Sequence, residues 1–153
     1  MLDKDKITAD VTKAKQLADM VIVLPHWGTE YVYTPDSNQN YWTQLFLSLG
    51  VDVVIGTHPH VLEPVEVVSD TKGHEMLVYY SLGNFVSNQD QKPRMIGGMA
   101  KMTLVKDETG CYVKNYNLTP VITQKLFGQN AITTYKLSDY TESLASGNAI
   151  RND

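Results

Sequence analysis

Ile7, Val11, Ala14, Leu17 and Ala18 recur at helical spacing, and Lys4, Lys6, Asp10, Lys13 and Lys15 occupy the remaining faces. The pattern predicts an amphipathic surface helix capped by Asp3 or Asp5. It runs directly into Met20-Val21-Ile22-Val23-Leu24, a short β-branched apolar run that reads as a buried strand. A polar, aromatic stretch follows. Trp42, Leu45, Phe46 and Leu49 then fall at i, i+3, i+4 and i+7. They predict a second helix, capped by Asp36 or Ser37 and stopped by Gly50. Val51-Asp52-Val53-Val54-Ile55 is the next strand.

Helix, strand, helix, strand is the signature of an α/β sheet, with the two strands parallel and joined by a right-handed crossover. Beyond Val61 the period changes. Val65–Val68 and Leu77–Tyr80 flank a turn-like Asp70-Thr71-Lys72-Gly73-His74 and predict a hairpin. Ile96–Val105 and Cys111–Val121 predict two more strands around the turn Asp107-Glu108-Thr109-Gly110. The expected class is α/β grading into α+β. We place the domain at residues 1–126, with a tail at 127–153. In that tail Tyr135, Leu137, Tyr140 and Leu144 suggest a final helix, and Gly147 to Asp153 reads as a frayed end.

Composition narrows the function classes. The chain has 153 residues, 42% hydrophobic and 20% charged, as expected for one folded domain rather than a disordered segment. Its net charge of −4 and the lack of a basic stretch argue against a nucleic-acid partner. No apolar run is long enough for a membrane span, and the N-terminus carries no signal-peptide core. Cys111 is the only cysteine, so no disulfide forms within the chain.

Three of the four histidines sit just beyond the two predicted parallel strands. His26 follows Pro25, and His58 and His60 lie in Gly56-Thr57-His58-Pro59-His60. Both motifs therefore fall at the carboxyl edge of an open sheet, where ligands bind. Imidazole is a ligand for zinc, manganese, iron and nickel. A His-x-His step can aim two rings at one point, Pro59 stiffens that step and biases His58 toward extended backbone, and Gly56 eases the turn. His26, His58 and His60 are the candidate metal ligands. Glu30 is a candidate to orient a ring nitrogen or to accept a proton, against the alternative of a solvated loop carboxylate. Asn84 either faces the site or simply serves the Gly83-Asn84 turn. Trp27, Tyr31 and Tyr33 read as core packing or as pocket walls. His74 reads as a solvated turn residue. Asp19 and Asp52 lie at the far strand ends and are excluded as ligands.

Three stretches carry a resemblance: His26-Trp27-Gly28-Thr29-Glu30-Tyr31, Gly56-Thr57-His58-Pro59-His60-Val61 and Tyr80-Ser81-Leu82-Gly83-Asn84-Phe85. In order and spacing they resemble successive motifs of the bacterial capsule-synthesis family of the CapA or PgsA type, associated with poly-γ-glutamate. That family is similar to the calcineurin-like metallophosphatases. The resemblance covers roughly Ile7 to Val121. It implies a partial metallophosphatase-like β-sandwich flanked by helices, corresponding to a C-terminal portion of the family domain. It also implies a divalent metal (Mn, Zn or Fe) whose ligand set is incomplete in this chain, because the family's N-terminal acidic and Asn-His ligands have no counterpart here.

Three functions remain open on this basis. One is the C-terminal half of a metal-dependent, phosphoesterase-like hydrolase, weak or inactive by itself. The other is a non-catalytic component that binds the capsule polymer or docks its synthase subunits. A solitary three-histidine zinc site is a third. The resemblance implies an extracytoplasmic, cell-surface location for the full-length protein. A truncated sheet would expose an edge and favour association with a second copy.

Overall fold

The computed structural model describes residues 2–126, 128 and 131–150. Arg151 to Asp153, the end of the predicted frayed segment, lie outside the described residues. Helix α1 spans Lys4–Leu17, and the Asp3 side chain accepts from the backbone N–H groups of Asp5 and Lys6. Helix α2 spans Ser37–Ser48 and starts on a full capping box. The Asp36 carboxylate accepts from the Gln39 N–H, while the Gln39 amide oxygen accepts from the Asp36 N–H.

Strands β1 (Ile22–Val23), β2 (Val53–Ile55), β3 (Val65–Ser69) and β4 (Glu75–Tyr79) form one sheet in the order β1-β2-β4-β3. β1 and β4 both run parallel to β2, and β3 closes the predicted hairpin against β4. After the short helix α3 (Lys92–Met95), strands β5 (Ile96–Asp107), β6 (Gly110–Lys125) and β7 (Ile132–Lys136) form a second, antiparallel sheet.

Alternation along the central strands builds three layers. Val54, Met76 and Val78 face the helices and pack with Val11, Trp42 and Phe46. Val53, Leu77 and Tyr79 face the second sheet and meet Ala100, Met102, Val113 and Leu118. Both faces of β2 and β4 are thus covered, which is why these strands read as unbroken apolar runs. Each fully buried aliphatic side chain contributes about 1.5–3 kcal/mol. The Tyr79 hydroxyl, donating to the Asn117 carbonyl at 2.9 Å, ties the sheets together.

The structure corrects several expectations. β1 is an edge strand. Val21 is buried against the helices, but Ile22 and Leu24 on the other face are 42% and 72% exposed. Apolar character marked a strand here but not its burial, because burial depends on what the second sheet reaches. The helix expected through Tyr135 and Leu144 is three elements. Tyr135 lies in β7, Leu137 opens a 3-10 turn (Leu137–Asp139), and Leu144 lies in helix α4 (Glu142–Ser146). β7 pairs with β6, so the tail extends the second sheet. No helix among the described residues is long and apolar enough to cross a membrane.

Candidate metal centre

The site is built by strand register. Pairing of Ile22 with Val53 and Val23 with Val54 continues without a slip to a bridge between His26 and Thr57. The Trp27 N–H donates to Thr57 O and the Thr57 N–H to Pro25 O, both at 3.1 Å. On the other side, β2 and β4 pair Val53 with Leu77 and Ile55 with Tyr79. The same offset carries His60 to Asn84. Three motifs distant in sequence therefore end at one rim because three neighbouring strands run parallel.

Gly56 makes this junction close. A Cβ there would lie 2.0 Å from the Tyr80 carbonyl oxygen and 2.3 Å from the Trp27 indole nitrogen. The indole N–H donates to that same carbonyl at 2.9 Å. Close approach, not an easier turn, is what requires glycine here. Trp27 is core, 3% exposed, beside Phe46 and Tyr80. Tyr31 and Tyr33 are exposed and are not core.

The imidazoles of His26 and His58 lie 4.5 Å apart, and those of His58 and His60 lie 6.0 Å apart, measured between ring centroids. The tightest grouping of donor atoms is different: Glu30, His58 and His60 each offer one atom within 4.8 Å of the others. His26 adjoins this group through His58, with Thr57 Oγ1 at 3.5 Å from its Nδ1. Glu30 Oε1 stands 3.9 Å from His60 Nε2. The carboxylate thus sits where a ligand would.

Asn84 is buried and fixes the His60 ring. Its Nδ2 donates to Arg94 O at 2.8 Å and, at longer range, to His60 O. The amide oxygen is thereby turned to His60 Nδ1, 2.9 Å away. Nδ1 then donates to that oxygen, and Nε2 is the ring nitrogen that faces Glu30. This is the arrangement by which a metal-ligating histidine has its tautomer set. The Gly83–Gly97 bridge holds the turn, and a Cβ on Gly97 would lie 2.1 Å from Asn84 O.

Tyr31, His58 and His60 have φ of 66°, 110° and 61°, the three positive values of non-glycine residues among the described residues. Pro59 therefore does not hold His58 extended. Such conformations cost about 1–3 kcal/mol each and persist only where the surroundings enforce them. Here the Tyr31 N–H donates to Pro59 O at 2.7 Å and locks the two loops together.

Beneath the rim lies a buried polar pair. The Gln39 amide donates to Glu63 Oε2 at 2.6 Å, and Gly28 leaves room for the Gln39 side chain. Burial pushes the Glu63 carboxyl above its usual range, against the bond from Gln39. Burial also acts to raise the Asp36 carboxyl, but bonds from the Gln39 N–H and Thr29 hydroxyl outweigh it, and the net shift is downward. His74 is half-buried at the far end of the sheet, where Nε2 donates to Val51 O at 2.8 Å. Asp52, at that same end, accepts from the Val21 N–H and pairs with Lys15.

One neighbour escaped sequence reasoning. The Arg94 guanidinium carbon lies 3.5 Å from the Tyr31 ring centroid, and that ring stacks on His60. Only the parallel placement of β4 brings the segment after Asn84 to this rim, and no local pattern announces that.

Residues 2–89 match the family described as bacterial capsule synthesis protein PGA_cap. The chain is also 36% identical over 111 residues to the PGA biosynthesis protein CapA of Bacillus subtilis (strain 168). That match covers 72% of this chain and 27% of the relative. The capsule biosynthesis protein CapA of Bacillus anthracis is 35% identical over 92 residues, 58% of this chain and 21% of the relative. The chain thus spans about a quarter of the length of these curated relatives. The matched segment contains His26, Glu30, His58, His60 and Asn84, and with more than half of its length matched the chain belongs to the bacterial capsule synthesis protein family.

Proposed function

We propose that this chain serves synthesis of a poly-γ-glutamate capsule at the cell surface, and that Glu30, His58 and His60, joined by His26, form one side of a divalent-metal centre. The observation that carries the metal reading is the convergence of the Glu30, His58 and His60 donor atoms within 4.8 Å, with the His60 tautomer set by Asn84. Nitrogen and carboxylate donors suit Zn, Mn or Fe. A divalent ion supplies charge stabilisation and a water acidic enough to ionise near neutral pH. The chain's own residues hold and orient. Asn84 fixes the His60 ring, the Tyr31–Pro59 bond fixes the loops, and Glu30 is poised to bind the ion or to take a proton. Hydrolysis of a phosphoester by this chain alone is expected to be weak, since a two-metal site needs further ligands.

Elemental analysis and calorimetric titration with Mn²⁺ and Zn²⁺ test the reading. The chain should bind one ion and His58→Ala should abolish binding. Absence of binding in the chain and in a full-length protein that contains it would reject the metal centre. Cells that keep capsule output when His58 and His60 are replaced would favour the non-catalytic, polymer-docking role.

A further inference from the structure

The guanidinium of Arg94 lies over the Tyr31 ring, and that ring stacks on His60 at 6.0 Å between centroids. A guanidinium seated on an aromatic face uses its flat side for the stack. Such a stack leaves the in-plane N–H donors free to bind an oxyanion as a rigid fork. Among the described residues no ion pair of Arg94 is present: Asp52 pairs with Lys15 and Asp19 with Lys106, while the Glu30 carboxylate lies 3.9 Å from His60 Nε2. The Arg94 backbone is also held in place. The Arg94 carbonyl accepts from Asn84, the residue that orients His60, and its N–H donates to Gln91 O. The same short segment thus positions the metal-binding ring and presents a cation beside it.

Charge makes this placement informative. The chain carries −4 overall and should repel a polyanion. α3 reads Lys92-Pro93-Arg94-Met95, with two cations and no acid, and Lys125 approaches the same loop by donating to Asn88 O at 3.2 Å. Arg94 is therefore a cation held beside the histidine rim, which also carries the Glu30 carboxylate.

We propose that Arg94, seated on Tyr31, recognises an oxyanion of the ligand at this rim, namely a free α-carboxylate of a γ-linked glutamate chain. The assignment rests on the capsule reading given above and names the group through which the polymer is held. Carboxylate and phosphate share the geometry that the fork recognises, so both are tested.

The full chain is titrated with a synthetic γ-linked glutamate decamer and, separately, with inorganic phosphate and with Mn²⁺. Circular dichroism and thermal melts check that each variant is folded. Arg94→Gln should weaken decamer binding roughly 10- to 100-fold, the worth of one charge-assisted contact. Arg94→Lys should recover only part of it, because a point charge lacks the fork. Mn²⁺ should still bind in both variants, since the backbone carbonyl of residue 94 still holds Asn84. Equal decamer affinity in wild type and Arg94→Gln overturns the proposal. So does a chain that binds Mn²⁺ but no decamer, and in that case the metal reading stands. Loss confined to phosphate binding also overturns the carboxylate assignment. Arg94-dependent decamer binding by a chain that takes up no Mn²⁺ supports the proposal and removes the metal reading instead.

Discussion

Replacing Asn84 by alanine separates the metal reading from a purely structural one. The side chain is buried and makes three contacts: Oδ1 with His60 Nδ1 at 2.9 Å, Nδ2 with Arg94 O at 2.8 Å, and Nδ2 with His60 O at 3.4 Å. The last is long and contributes little. Leaving a buried polar group unpaired costs about 1–3 kcal/mol, so the loss should be about 2–6 kcal/mol for two good bonds. Urea unfolding should show this as a lower midpoint with an unchanged slope. Loss of the acceptor also frees the His60 ring to rotate and change tautomer. Partners of this kind are worth about 10–100-fold in metal affinity. Asn84→Asp is the informative companion. A carboxylate still accepts from His60 Nδ1 but cannot donate to Arg94 O. The two variants should lose similar stability, while Asp keeps Mn²⁺ or Zn²⁺ affinity close to wild type. Equal metal affinity in wild type and Asn84→Ala, alongside reduced stability, would refute the argument that Asn84 sets a ligand.

Three further outcomes are expected. Gly56→Ala places a Cβ 2.0 Å from the Tyr80 carbonyl oxygen, a backbone atom that cannot step aside, and should cost about 3 kcal/mol or more; an unchanged urea midpoint would contradict the close-approach account. Asp36→Ala removes the α2 cap and the bond from Thr29, and should cost about 1–2 kcal/mol by the same measurement. Glu63 has a raised carboxyl pKa and a buried Oε1 with no partner among the described residues. In that case the native state holds a proton that the unfolded state has released. Stability should fall as pH rises from the unfolded value, about 4.3, through the raised native one. Glu63→Gln should flatten that slope in unfolding curves taken across the window, and a slope unchanged by the substitution would show that another group sets it.

The local elements were legible because their signals are local. Caps at Asp3 or Asp5 and at Asp36 or Ser37, of which the structure uses Asp3 and Asp36, the stripe through Trp42, Phe46 and Leu49, and the hairpin turn at Asp70–His74 each follow from spacing and turn chemistry within a few residues. Tyr135–Leu144 failed for the matching reason. Four apolar residues near helical spacing also fit a strand, a 3-10 turn and a short helix in succession, and only pairing of β7 with β6 decides between them. His74 looked solvated because nothing near it in sequence marks the Val51 carbonyl as its acceptor.

The sequence by itself determined that two apolar runs end in histidines and that a third motif carries Asn84. It also limited the chain to a folded α/β domain with one cysteine. Tertiary structure decided that β4 runs parallel beside β2, so that Asn84 reaches His60 and Arg94 reaches Tyr31. It also decided that Glu30 joins His58 and His60 in one group of convergent donors, with His26 beside it. The reason is physical: a residue's type and neighbours set which local conformations it adopts, whereas which distant groups meet depends on strand order and register, which are properties of the assembled sheet.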